Sequence, residues 1–186
     1  MTNALVVIDV QESFRARPEW QEINNPGIGG QVQRLVDATR AAGDLVVWVL
    51  HSEPGTGTVF DPARGFVRVF DELDPAPGEP LLTKTAHNAF TTTNLAQLLT
   101  ERGIRDLVIC GIRTEQCCET TARLASDLGY DVTFVTDATA TNPIPHFAGG
   151  RTLSAEEVVA RTEYALAGRF ATIKTVDEVT GTLVGG

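Results

Sequence analysis

Short runs rich in valine, isoleucine and leucine alternate along this chain with segments whose apolar residues recur at helical spacing. That alternation constrains the fold more than any other feature, because strand–helix repetition is the pattern of a mostly parallel sheet covered by helices on both faces. Strands buried on both faces need not alternate polar and apolar residues. Ala4 to Val10 (ALVVIDV) therefore reads as a first strand and Leu45 to Leu50 (LVVWVL) as a second. Leu81 to Lys84 predicts a third, Asp106 to Ile112 (DLVICGI) a fourth, Tyr130 to Val135 a fifth and Phe170 to Lys174 a sixth.

Helices are predicted between them. From Gly30 to Ala42, Val32, Leu35, Val36 and Thr39 fall on one face, and Gly43 closes the segment as a C-terminal cap. Asn94 to Arg102 carries Leu95, Leu98 and Leu99 and stops at Gly103, while Glu115 to Leu128 aligns Cys118, Ala122 and Ala125. Ser154 to Ala167 opens with Ser154-Ala155-Glu156-Glu157, a capping box. The stretch from His51 to Pro80, rich in Gly, Pro and acidic residues, is too long for an ordinary connection, and such excursions often carry binding residues. The tail from Thr175 to Gly186 is weakly patterned. With 186 residues, 42% of them hydrophobic, and no internal repeat, the expectation is one domain over residues 1–186. Its expected architecture is a three-layer, Rossmann-like α/β sandwich around a six-stranded, mostly parallel sheet.

A formal charge of -9 repels phosphate backbones and anionic lipid, so no nucleic-acid or membrane partner is expected and a small-molecule substrate is favoured. No run approaches the roughly 20 apolar residues of a membrane helix. Met1-Thr2-Asn3 lacks the basic start of a secretory signal, so a cytoplasmic location is expected. Three cysteines, spaced unlike a zinc site, point to reduced thiols. A homo-oligomer is expected, of an order the sequence does not decide.

In open parallel sheets, ligands sit outside the carboxyl ends of the strands. Asp9 ends the first strand, Lys84 ends the third and Cys117 lies just past the fourth, so all three face one crevice. In Gly111-Ile112-Arg113-Thr114-Glu115-Gln116-Cys117, Thr114 is suited to cap the helix, which places Cys117 in the first turn near the positive end of the dipole. A thiol there is expected to ionise more readily, and first-turn amides suit an oxyanion. Each residue also has a plain structural reading. A cysteine is usually a small buried hydrophobe, which suits Cys110 in its strand and Cys118 on the helix's apolar stripe. An aspartate after a strand is commonly a turn residue, and a lone lysine a surface charge. Their convergence supplies a nucleophile, a base and a cation, which separate readings do not explain.

Three segments carry a family resemblance over nearly the whole length. They are Leu5 to Gln11 (LVVIDVQ), Lys84 with Thr85 to Phe90 (TAHNAF), and GIRTEQC followed by Cys118 to Arg123 (CETTAR). In these the chain resembles the isochorismatase-like cysteine hydrolases. The resemblance implies a catalytic triad of Asp9 as base, Lys84 as charge partner and Cys117 as nucleophile. It further implies a cis bond at Ile112-Arg113 and an oxyanion hole formed by the backbone amides of Arg113 and Cys117. Nicotinamidase relatives hold a metal with an Asp-x-His pair and a further His, whereas this chain has Val49-Leu50-His51 and no other histidine before His87. No metal and no cofactor are therefore expected. Relatives that cleave the vinyl ether of isochorismate generally lack the cysteine, so Cys117 favours hydrolysis of a carbon–nitrogen bond, by way of a thioester.

Two other readings stay open: an ether hydrolase using Asp9 without the thiol, and a catalytically idle fold serving as a thiol sensor or binding protein. Arg113 either meets an anionic substrate or pairs with Glu115. Phe14, Trp20, His87 and Phe147 are candidate pocket residues, because they lie on excursions near the same crevice.

Overall fold

The computed structural model describes residues 3–184. The chain begins with β1 (Asn3–Ile8), a short α1 (Glu12–Arg15) and a 3-10 turn at Pro18–Glu22, followed by α2 (Ile28–Ala41) and β2 (Leu45–His51). Then come β3 (Leu81–Lys84), α3 (Leu95–Glu101), β4 (Asp106–Ile112), α4 (Glu119–Asp127) and β5 (Asp131–Ala140). A small hairpin, β6 (Ile144–Pro145) and β7 (Thr152–Leu153), precedes α5 (Ala155–Leu166), β8 (Thr172–Lys174) and α6 (Val176–Val184).

Six strands form one sheet in the order β3-β2-β1-β4-β5-β8, and each neighbouring pair is parallel. The chain winds outward from β1 to β3, then returns to the other side of β1 and winds out through β4. The strand order therefore reverses between β1 and β4, and the carboxyl ends beside such a reversal open the crevice where α/β folds bind ligands.

Side chains alternate across each strand, so β1 feeds two cores. Ala4, Val6 and Ile8 join Leu95 and Leu99 of α3, Ala122 of α4 and Leu166 of α5. Leu5 and Val7 join Val32, Leu35 and Val36 of α2 together with Val176 and Val179 of α6. Both layers exclude solvent almost completely, which is why the strands read as unbroken apolar runs.

Several boundaries differ from the sequence expectation. β1 stops two residues early because Asp9 adopts φ 55°, a left-handed conformation uncommon outside glycine that turns the chain off the sheet. β5 extends to Ala140 after a register shift against β4 between Ile109 and Gly111. The expected helix from Glu115 is a π turn over Thr114–Cys118, with Cys118 N donating to Arg113 O at 3.2 Å, and only then α4. The weakly patterned tail is helical from Val176, because Val176 and Val179 bury against α2's layer. Met1, Thr2, Gly185 and Gly186, at the ends of segments read from sequence, lie outside the described residues.

Candidate active site

β1, β3 and β4 each deliver one side chain to the crevice. The φ of Asp9 directs its carboxyl there, and its own amide remains tied to Val49 O at 2.7 Å. β3 lies two strands from β1, at about 4.8 Å per strand, so Lys84 must lay its side chain across the end of β2 to reach Asp9. Lys84 Nζ donates to Asp9 Oδ2 at 2.8 Å and to Cys117 Sγ at 3.4 Å. Both charged side chains are completely buried, a position an ammonium and a carboxylate tolerate only as partners. The structure thus brings Asp9, Lys84 and Cys117 into one cluster.

Cys117 is placed by the β4 end and by a tie to the segment after β3. Gly111 sits at φ 131° so close to β1 that a Cβ would lie 1.9 Å from Ile8 O, so only glycine lets the two strands meet there. The Ile112–Arg113 peptide is cis. Thr121 Oγ1 donates to Cys117 O at 2.6 Å and accepts from Ala89 N at 3.1 Å. The segment that carries Lys84 and the turn that carries Cys117 are thereby fastened together. Asn88 Oδ1 accepts from the amides of Phe90 and Thr91, which shapes that segment.

Two expectations need correction. Thr114 does not cap the helix: its hydroxyl is buried and donates to Thr139 Oγ1 at 2.8 Å, leaving Arg113 as the capping residue without a side-chain cap. Nor is the thiol primed to ionise. Burial, reinforced by the negative charge of Asp9, pushes the Cys117 thiol well above the ordinary thiol range, and Lys84 only partly offsets this. Desolvation outweighs a single turn's dipole here. Burial likewise raises the Asp9 carboxyl, with the charge of Lys84 acting against it. Among the described residues, none makes a hydrogen bond of ordinary geometry to Asp9 Oδ1, yet the Cys117 thiol is near enough for each group to affect the other's ionisation.

His51 and Gln11 did not emerge from the sequence as site residues. His51 ends β2 directly opposite Lys84, and its Nδ1 lies 3.4 Å from Lys84 Nζ. Buried Gln11 clamps the His51 backbone, accepting from its amide at 2.7 Å and donating to its carbonyl at 3.0 Å. The same strand-end rule that selects Asp9 and Lys84 also selects His51, so the signal was present.

The four candidate pocket residues part company. Phe14 meets Phe60 edge to face at 5.1 Å, Phe60 meets the His51 ring at 5.6 Å, and exposed His87 stacks over His51 at 6.5 Å. Phe14 and His87 thus join the cluster through His51. Trp20 packs instead on Phe70, beside the Arg15 guanidinium. Phe147 is 96% exposed, with its ring on His146 and no described contact to the cluster. Arg113 Nη2 pairs with Glu115 Oε1 at 3.3 Å, so its charge is met within the chain. Among the described residues, no group of three or more His, Cys, Asp or Glu side chains is gathered as metal ligands would be. No described helix is long and apolar enough to cross a membrane.

The sequence model of the isochorismatase domain matches residues 3–163. The chain belongs to the isochorismatase family. A structure from Chromobacterium violaceum described as an isochorismatase-family hydrolase superposes with a TM-score of 0.92 at 28% identity, covering 100% of this chain and 95% of that one. A cysteine hydrolase from Pseudomonas syringae superposes with a TM-score of 0.90 at 25% identity, covering 98% and 92%. The ureidoacrylate amidohydrolase RutB of Agrobacterium fabrum is 29% identical over 170 residues, 73% of this chain and 75% of the relative. The six-stranded α/β fold is that of isochorismatase-like hydrolases, and hydrolase is the enzyme class this family member shares with them.

Proposed function

We propose that this isochorismatase-family protein is a cysteine-dependent hydrolase of a carbon–nitrogen bond, amide or ureido, in a small molecule. One observation carries the reading: a single buried ammonium, Lys84 Nζ, bonds both the Asp9 carboxylate and the Cys117 sulfur. The kinship with an amidohydrolase and a cysteine hydrolase supports the same class of reaction.

The chemistry follows from the ionisation of the three groups. The resting thiol is neutral, so attack and proton transfer proceed together: Cys117 Sγ bonds to the substrate carbonyl carbon as its proton passes to Asp9. A carboxyl raised by burial is a stronger base than a surface aspartate, which narrows the gap it must bridge to the thiol. The Lys84 ammonium faces both the sulfur and the carboxylate as charge shifts between them. Backbone amides of Arg113 and Cys117 serve the carbonyl oxygen as it becomes an oxyanion. When the carbon–nitrogen bond breaks, the proton on Asp9 leaves with the ammonia or amine, and a thioester remains on Cys117. Asp9, again a carboxylate, then takes a proton from water as the hydroxide adds to the thioester carbonyl. Loss of the acid returns that proton to the sulfur, and no cofactor or metal enters the cycle.

The test is a panel of small amides and ureido compounds, read by release of ammonia or amine. Cys117→Ala is expected to lose at least about 1000-fold in kcat on any substrate found. Turnover by the alanine variant equal to that of the parent protein would rule out the covalent route.

A further inference from the structure

We propose that His51 is a positioning residue of this site, a neutral imidazole whose Nδ1 accepts the third hydrogen of the Lys84 ammonium. The inference rests on the cysteine-hydrolase reading above and adds a fourth member to its cluster.

An ammonium carries three donors and no acceptor. Two of the three are committed, to Asp9 Oδ2 at 2.8 Å and Cys117 Sγ at 3.4 Å. Among the described residues, the remaining polar neighbour is His51 Nδ1, at 3.4 Å. Lysine has nothing to accept with, so Nδ1 must be the unprotonated nitrogen and the ring proton must sit on Nε2. There it finds Glu53 Oε1 at 3.5 Å, and Glu53 is held from its other oxygen by Thr58 Oγ1 at 2.9 Å. The His51 backbone is fixed at both polar atoms by Gln11, and its ring is flanked by Phe60 and His87.

The arrangement completes the coordination of a fully buried ammonium, which otherwise would leave one donor unmet at the centre of the site. It also sets Lys84 on three points instead of two, so that Nζ stays in contact with both base and nucleophile while charge moves from one to the other. The groups facing the ring are Lys84, Asp9, Glu53, His87 and the Phe60 edge. Burial and the Lys84 charge hold the imidazole below its ordinary range, with Asp9 and Glu53 opposing. A second proton on His51 would place N–H against N–H at 3.4 Å and remove the acceptor, so acid disarms the site through His51 as well as through Asp9.

Nitrogen-15 NMR of the imidazole rings reads the tautomer without any substrate. His51 is expected at pH 7 as the Nε2–H form with Nδ1 bare, and a protonated Nδ1 would overturn the proposal. On the amide that turns over fastest in the panel, His51→Leu is expected to lose about tenfold or more in kcat with little change in KM. His51→Asn, whose carbonyl oxygen can stand near the Nδ1 position, is expected to recover most of that loss. It should also shed one proton from the acid limb of the rate profile, so that its slope falls from two protons to one. A leucine variant with the parent's kcat and the parent's acid limb would likewise overturn it. The tautomer does not depend on Cys117, so a fully active Cys117→Ala would refute the thiol mechanism while leaving the His51 result to stand on its own.

Discussion

At the scale of single residues the site is held together by one cation. Lys84 is fully buried, and its removal strands the Asp9 carboxylate away from water. Breaking one half of a buried pair costs about 3–5 kcal/mol, so Lys84→Met is expected to lower the urea-unfolding free energy by that order. A loss below about 1 kcal/mol would mean that the pair is hydrated. The thiol offers a separate check. Burial and Asp9 hold Cys117 in its neutral form at pH 7, with the pKa displaced upward, so the thiolate fraction should still be climbing above pH 9. Iodoacetamide should therefore label Cys117 in the free protein more slowly than it labels glutathione, at a rate that keeps rising with pH, followed by peptide mass. A plateau below pH 8 would show a thiolate formed in advance. From sequence alone the identity of these residues was legible, because each ends or follows a strand at the carboxyl edge. Their ionisation was not, because a position at a helix end reveals a dipole, whereas desolvation depends on how completely neighbouring segments close over the sulfur.

At the scale of elements, the close approach of β1 and β4 sets the site. Gly111 makes it possible, since a Cβ there would overlap the Ile8 carbonyl oxygen and φ 131° is unfavourable for any side chain. Gly111→Ala is expected to destabilise the fold by at least about 2–4 kcal/mol and to lower kcat by moving Cys117 relative to Asp9. Urea denaturation and turnover check both, and a variant as stable and active as the parent would refute this role. The apolar strands and the capped α5 helix were readable because their signals are local: unbroken Val, Ile and Leu runs, and Ser154 with Glu157 bonded reciprocally at the helix start. What eluded the pattern had non-local causes. The π turn depends on Thr114 bonding Thr139 from β5, the early end of β1 on a left-handed Asp9, and α6 on burial against α2. The β6–β7 hairpin has only two residues in each strand, too few for a period to register.

At the scale of the whole molecule, a doubly wound sheet brings together three side chains far apart in sequence by ending their strands at one edge. The order β3-β2-β1-β4-β5-β8 puts β1 at the centre and the reversal beside it, so Asp9 sits where the crevice opens and the others reach inward. The long segment between β2 and β3 contributes Phe60 to the ring cluster around His51. Phe147, by contrast, lies on a hairpin whose outward ring no sequence pattern could have separated from a pocket residue. The central claim is that Cys117 carries the acyl group between two half-reactions. Intact-protein mass spectrometry of samples acid-quenched during turnover of the best amide tests it directly. A mass increase equal to the substrate acyl group, mapped to Cys117 and absent in Cys117→Ala, is the predicted result. Steady turnover with an unmodified protein at every quench time, undiminished in the alanine variant, would contradict it.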